Sequence, residues 1–266
     1  YKLSNEKNEI YIVLKGGSHM TLIRRGELLL HKNGRKEQDE YVMRLMMPEE
    51  VKTAFELQNY VYDRLPDKQV LYMDSYQEMQ EDMNNGAKLI GVFNKSGELI
   101  AYRYIAFPGE SDRNLGNDIN LTRRELINVA HLETTVVHPA YRGNSLQSLT
   151  LQEAIPILRN CGCEHLLCTV SPQNPYSLYN VMKNGLRIRA LKKKYGSDKT
   201  GKDGIWRFIL HRSLVQEEVR KVNLIYSIPL MNLERQRELI KKGYIGLQML
   251  RENQLLNYVR FEGSII

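Results

Sequence analysis

Residues 133 to 147 read Glu-Thr-Thr-Val-Val-His-Pro-Ala-Tyr-Arg-Gly-Asn-Ser-Leu-Gln, and a helical pattern follows at once. A β-branched strand therefore ends in an Arg-Gly turn from which a helix starts. The first N–H groups of such a helix have no partner inside it, and its dipole aims its positive end at the turn. A turn of this kind is an anion site well suited to a pyrophosphate. Gly143 permits close backbone approach and Arg142 adds charge. An ordinary strand-to-helix crossover carries the same punctuation, so the physics alone leaves both readings open.

The rest of the chain predicts the surroundings of that turn. Leu22–His31 and Tyr41–Met46 read as strands, the first ending at the Asn33-Gly34 turn signal. Pro48 and the spacing of Val51, Phe55, Gln58, Val61, Tyr62 and Leu65 predict a helix that stops at Pro66. Asp74 and Gln77 have capping-box spacing before a second helix faced by Tyr76, Met79 and Met83. Ala87–Asn94 and Glu98–Phe107 read as a hairpin, and Ser111–Leu121 as a polar loop. Then come a strand (Val129–His138), a helix (Asn144–Asn160) that Pro156 should kink or shorten, and a strand (His165–Val170). A helix (Pro175–Lys183) and two strands (Leu186–Lys194 and Trp206–Leu210) follow. This order predicts an α/β protein of mixed α+β type, with one mixed sheet and helices on both faces.

Two blocks of the chain resemble a known family. Val137-His138-Pro139-Ala140-Tyr141-Arg142-Gly143 resembles the coenzyme A motif of the GNAT (N-acetyltransferase) superfamily, V-x-P-x-x-R-G-x-G-x-G. Asn174 to Leu186 resembles that family's N-x-x-A/S…G-F segment in the following helix. The resemblance covers roughly residues 41–212. It implies the GNAT fold, a central mixed and mostly antiparallel sheet flanked by helices. It also implies an acyl-CoA co-substrate, acetyl-CoA or another acyl-CoA, and no metal. By position, Val136, Val137 and His138 would pair with the pantetheine arm, and the Val137 N–H would polarise the thioester carbonyl. The N–H groups of Arg142, Gly143, Asn144, Ser145, Leu146 and Gln147 would hold the pyrophosphate, and Asn174 would touch the pantetheine. The chain departs from the family pattern where Ser145 and Gln147 replace later glycines and where Val181 stands in a position at which many members carry a tyrosine as general acid. Glu133, four residues before Val137, is the leading candidate base, and His131 shares its face by strand alternation.

Other features read more plainly. Cys161, Cys163, His165 and Cys168 straddle a helix end and a strand, which argues against a metal site, and an odd count of three cysteines argues against a disulfide framework. Lys192, Lys193, Lys194, Lys199 and Lys202 form a basic hairpin tip, read first as a solvated loop and second as a contact for an acidic partner. A net charge of +7, spread along the chain, suits anionic ligands and does not point to nucleic acid. No apolar run approaches the roughly 20 residues of a membrane span, which makes the cytoplasm the default compartment. Residues 1–20 read as a fused segment ending in a tag-like scar, Gly17-Ser18-His19-Met20. Residues 21–212 form the expected acyltransferase domain. Residues 213–266 form a C-terminal extension in which Asn232 caps a helix (Leu233–Lys242) before a hairpin (Tyr244–Leu250 and Leu255–Phe261). That extension would pack on the domain, or on a second subunit in a homodimer.

The resemblance implies an N-acyltransferase that moves an acyl group, acetyl first, from coenzyme A to a primary amine by direct transfer. One alternative is acylation of a peptide, the fused N-terminal segment included, with a longer acyl-CoA or an acyl carrier protein as donor. The other is a non-catalytic acyl-CoA sensor.

Overall fold

The computed structural model describes residues 3–6, 9–13, 19–196, 203–215 and 222–261. In chain order the elements begin with strands β1 (Leu3–Glu6), β2 (Glu9–Val13), β3 (His19–Lys32) and β4 (Arg35–Leu45). Helices α1 (Val51–Asp63) and α2 (Tyr76–Asn84) precede β5 (Lys88–Asn94) and β6 (Leu99–Ala106). A short α3 (Arg123–Leu126) leads into β7 (Val129–Val137), α4 (Leu146–Asn160), β8 (His165–Val170) and α5 (Pro175–Lys183). The chain continues through β9 (Arg187–Lys194), β10 (Ile205–Ser213), β11 (Val222–Pro229), α6 (Leu233–Lys241), β12 (Ile245–Leu250) and β13 (Leu255–Phe261).

The fold has two compact units. The first comprises Tyr1–Pro66, Met73–Ala106 and Glu133–Ala154; the second comprises Asp67–Tyr72, Phe107–Leu132 and Ile155–Ile266. In the first, strands follow the order β1-β2-β3-β4-β5-β6 to the C-terminal half of β7. Its core joins Val51, Ala54, Leu57 and Val61 of α1 and Met79 and Met83 of α2 to Leu89, Tyr102, Tyr104 and Val136 of the sheet. The apolar spacing of both helices puts those side chains on one face, which is why the helices lie against the sheet. In the second unit the order is β7-β8-β10-β9-β12-β13-β11. Here β7 and β8 run parallel, with Val129 opposite His165 and Leu132 opposite Cys168. β8, β10 and β9 pair antiparallel, so the sheet is mixed as expected.

Several boundaries differ from the sequence reading. β3 starts earlier than Leu22 and runs one residue past His31, and β4 starts at Arg35 rather than Tyr41, so the two meet at the Asn33-Gly34 turn as a long two-stranded arm whose charged residues hid its strand character. The capping box of α2 lies one residue later than predicted. Ser75 Oγ accepts from the Glu78 N–H, and Glu78 Oε2 accepts from the Ser75 N–H at 3.0 Å, which leaves Asp74 outside the cap. α4 passes through Pro156 to Asn160 and is not shortened there. The polar stretch before β7 contains a 3-10 turn, Leu115–Ile119. β11 was not foreseen, and it pairs antiparallel with β13 in the extension. β2 pairs with the start of β3, Val13 opposite His19 and Ile10 opposite Leu22, and β1 pairs with its other side, so residues 3–6 form the outermost strand there and residues 9–13 lie inside it. Gly17, Ser18, Lys199 and Lys202 lie outside the described residues.

Met79 is fully buried between α2 and the sheet. Its replacement by alanine should cost about 2–5 kcal/mol through lost contacts and the cavity left behind. Urea unfolding of Met79→Ala against the parent, with an unchanged slope, checks this.

Candidate active site

The turn between β7 and α4 is shaped as an anion site. Pro139–Tyr141 form a 3-10 turn, opened by His138, whose Nδ1 accepts from the Ala140 N–H at 3.2 Å. Gly143 has a φ of +88°, and a Cβ placed there would meet only His31 Nε2, at 4.0 Å. Ser145 takes a φ of +57°, the left-handed conformation in which the family has glycine. The serine thus preserves the turn, at a steric cost that roughly reaches 1–2 kcal/mol for an L-residue. Arg142, Gly143 and Ser145 are exposed, and the helix starts at Leu146. Open room at Gly143, positive φ at two positions, an exposed guanidinium and a helix start together fit a diphosphate.

The turn is held from three sides. The Tyr141 hydroxyl, buried, donates to Asp39 Oδ2 at 2.9 Å and accepts from Asn94 Nδ2 at 3.1 Å. The Asn144 amide is spent on backbone: its Oδ1 accepts from the Leu29 N–H at 2.8 Å, and its Nδ2 donates to the Leu29 carbonyl at 2.7 Å. Beneath the first turn of α4, the buried Arg103 guanidinium donates to the Gln147 carbonyl at 2.7 Å and to Thr150 Oγ1 at 3.2 Å. On the strand side, the His138 N–H already donates to the Ile100 carbonyl at 2.8 Å. The His138 ring stacks on Tyr60 with centroids 4.9 Å apart, and the Arg64 guanidinium covers Tyr60 from 3.6 Å. Burial lowers the imidazole's pKa, and the nearby Arg64 and Arg142 charges add to that lowering.

A second chemical group sits on the same strand. Glu133 is exposed on β7, and the neighbouring Thr134 hydroxyl donates to Asp74 Oδ2. Gln58, fully buried on α1, donates to the Asp74 carbonyl at 2.8 Å and accepts from the Tyr102 hydroxyl at 2.9 Å. Asp74 is thereby fixed beside Glu133. Burial, and then the Glu133 charge, push its carboxyl from an ordinary 3.8 up to about 7, against the Thr134 hydrogen bond, with Glu78 adding to the rise. The Tyr104 hydroxyl donates to Asp82, and burial first, then that bond and the carboxylates around it, hold its pKa far above the usual phenol value. A carboxyl that titrates near neutrality can take a proton at working pH. The sequence reading missed Asp74 because its position resembled a helix cap; a shift made by residues distant in sequence leaves no local signal.

The remaining candidates have other occupations. His131 is buried, and its Nε2 accepts from the Leu115 N–H at 3.0 Å. Asn174 caps α5, its Oδ1 accepting from the Ser177 N–H at 3.0 Å. Val181 is buried in α5, while Tyr176 and Tyr179 lie under the Arg251 guanidinium. Burial raises the Cys163 thiol to about 11, so it is a poor nucleophile. Lys192 and Lys194 both reach Asp118, at 3.0 and 2.7 Å, and Lys193 reaches Asp203 at 2.7 Å. The basic tip is therefore at least partly self-neutralised.

Comparison with known proteins agrees with this geometry. Residues 56–182 match the family model described as acetyltransferase (GNAT) family. Among solved structures, the fold is similar to yncA of Salmonella typhimurium, solved with acetyl-CoA, at a TM-score of 0.50 and 13% identity, covering 68% of this chain and 98% of that one. It is equally similar to an N-acetyltransferase of Staphylococcus aureus Mu50, at 0.50 and 13%, covering 65% and 98%. No curated protein matches the sequence.

Asp74 also gives the fold a pH dependence. Its folded pKa of about 7 lies above the unfolded value, so between the two the native state binds more protons. This contribution to stability is complete below about pH 4 and is lost as pH rises through about 7. Urea unfolding across that window should show the decline in the parent and its absence in Asp74→Asn.

Proposed function

We propose that this chain, whose residues 56–182 match the acetyltransferase (GNAT) family model, is an acyltransferase that moves an acetyl group from coenzyme A to a primary amine. The observation that carries the acceptor side is Asp74, held near neutrality beside Glu133. An amine reaches the site as an ammonium, and two neighbouring carboxyls attract it. Asp74 takes its proton, directly or through a water, and Glu133 holds the charge that keeps Asp74 basic enough to do so. The freed amine then attacks the thioester carbon, the nitrogen gives up its second proton to solvent, the C–S bond breaks, and the departing thiolate takes a proton from solvent, leaving the amide and the free thiol. The acyl-CoA supplies the activated carbonyl. The Val137 N–H is the proposed donor to its oxygen. Arg142 and the N–H groups of the turn to Gln147 are the proposed diphosphate partners, supported by the positive φ of Gly143 and Ser145.

A second reading, acylation of a peptide, draws support from β2, which shows that an extended segment can add to the edge of β3. Mass spectrometry of a free peptide of residues 1–16, incubated with enzyme and acetyl-CoA, should show acylation if this reading holds.

Acetyl-CoA at about 100 times its Kd should stabilise the parent by roughly 2.7 kcal/mol. The Gly143→Glu variant, whose carboxylate repels the diphosphate, should show no ligand-induced gain over its own ligand-free Tm. With a primary amine as acceptor, kcat/KM should rise with pH through about 7 as Asp74 ionises. Glu133→Gln should move that limb to lower pH, because it removes a charge that raises Asp74, and Asp74→Asn should abolish it. A limb unchanged in Asp74→Asn would overturn the assignment of the base.

A further inference from the structure

We propose that the tip of the β3–β4 arm, through His31 and Lys36, binds the ribose 3′-phosphate of coenzyme A and so selects the full coenzyme over its dephospho form. The inference rests on the donor reading above. If the pantetheine follows β7 and the diphosphate sits on the turn, the adenosine end must leave the turn on its far side. What lies beside the turn is the arm. The Asn144 amide grips both backbone groups of Leu29, and this fixes the register of β3 against the turn. Two residues further along the same edge, His31 Nε2 comes within 4.0 Å of the Cβ position of Gly143. Lys36 stands opposite His31 in the ladder, so both side chains emerge on one face of the hairpin. Lys32 and Arg35, also a cross-strand pair, emerge on the other face.

Residues 31–36 read His-Lys-Asn-Gly-Arg-Lys, and all of them are exposed. A stretch this basic, with no acidic residue, is repelled by itself and gains by meeting a dianion. Of the acids closer to the turn, Glu27 accepts from Gln38 at 2.8 Å and Asp39 is buried under Tyr141, while Glu37, next to Lys36, emerges by alternation on the opposite face of the hairpin. The arm also offsets what the turn lacks. The Asn144 side chain is committed to Leu29 and to the Tyr141 carbonyl at 3.0 Å, so it is not available to a phosphate. A phosphate contact supplied from β3 and β4 places part of the nucleotide site in a segment that precedes the family motif.

Calorimetric titration with coenzyme A and with 3′-dephospho-coenzyme A tests the assignment without turnover. The parent should bind coenzyme A at least tenfold more tightly than the dephospho form. The His31→Ala/Lys36→Ala double variant should lose most of that preference while binding dephospho-coenzyme A as the parent does. Lys32→Ala/Arg35→Ala should keep at least half of the preference. Equal binding of the two ligands by the parent overturns the proposal and leaves the donor reading intact, as does a preference that survives His31→Ala/Lys36→Ala. A preference lost only in Lys32→Ala/Arg35→Ala also overturns it. Failure of the parent to bind either ligand overturns both readings. All four side chains are exposed, so an unchanged ligand-free Tm should accompany each variant.

Discussion

Arg103 is buried to 1% exposure on β6, and its guanidinium is tied to the Gln147 carbonyl and the Thr150 hydroxyl in the first turn of α4. A buried cation is costly unless its donors are used, so this side chain ties the sheet to the start of the helix. The helix start in turn carries the exposed N–H groups on which any anion would settle. Thr150 passes the connection on, donating to the Leu146 carbonyl at 2.9 Å. The Arg103 guanidinium is thus held at the base of the helix start, on the side of α4 that faces the sheet.

The acidic group works by a different balance. Asp74 stays protonatable near neutrality because burial and Glu133 oppose its ionisation more strongly than the Thr134 hydroxyl favours it. Its backbone is held by Gln58, which Tyr102 holds in turn. Two helices and two strands of one unit thus converge on one carboxyl. The turn follows the end of β7 and this carboxyl accepts from Thr134 of the same strand, so the proposed base and the proposed diphosphate partners are spaced by a single extended segment. That is the economy of a strand: 3.3 Å per residue with little freedom to drift.

Much of this was legible beforehand. The Asn-capped helix Pro175–Lys183 was predicted to the residue, and β5, β6, β7, β8, β12 and β13 lie within one residue of their expected bounds, because glycine, proline and alternation mark them locally. The strand-turn-helix unit at Pro139, Arg142 and Gly143 was also legible; it is a 3-10 turn followed by a positive-φ glycine and the start of α4. Ser145 shows the limit of that reading. Serine replaces a glycine of the resembled pattern there, yet the backbone takes the left-handed conformation, with Arg103, Tyr141 and Asn144 anchoring both sides of it. The long arm was cut short for a related reason: residues 32–40 carry almost no apolar alternation, and their strand state comes from pairing with each other. Asp74 and β11 depend on partners remote in the chain, which no local pattern records.

The Asn144 amide has a further consequence. β2 covers the outer edge of β3 only as far as Leu22, while β3 itself continues to Lys32. A bare strand edge is a template on which other chains can grow. By presenting one donor and one acceptor to Leu29, the asparagine acts as a one-residue false strand that closes the ladder at its most apolar point, between Leu28 and Leu30. The same side chain that shapes the turn therefore also occupies backbone groups of a strand edge that an added strand would need.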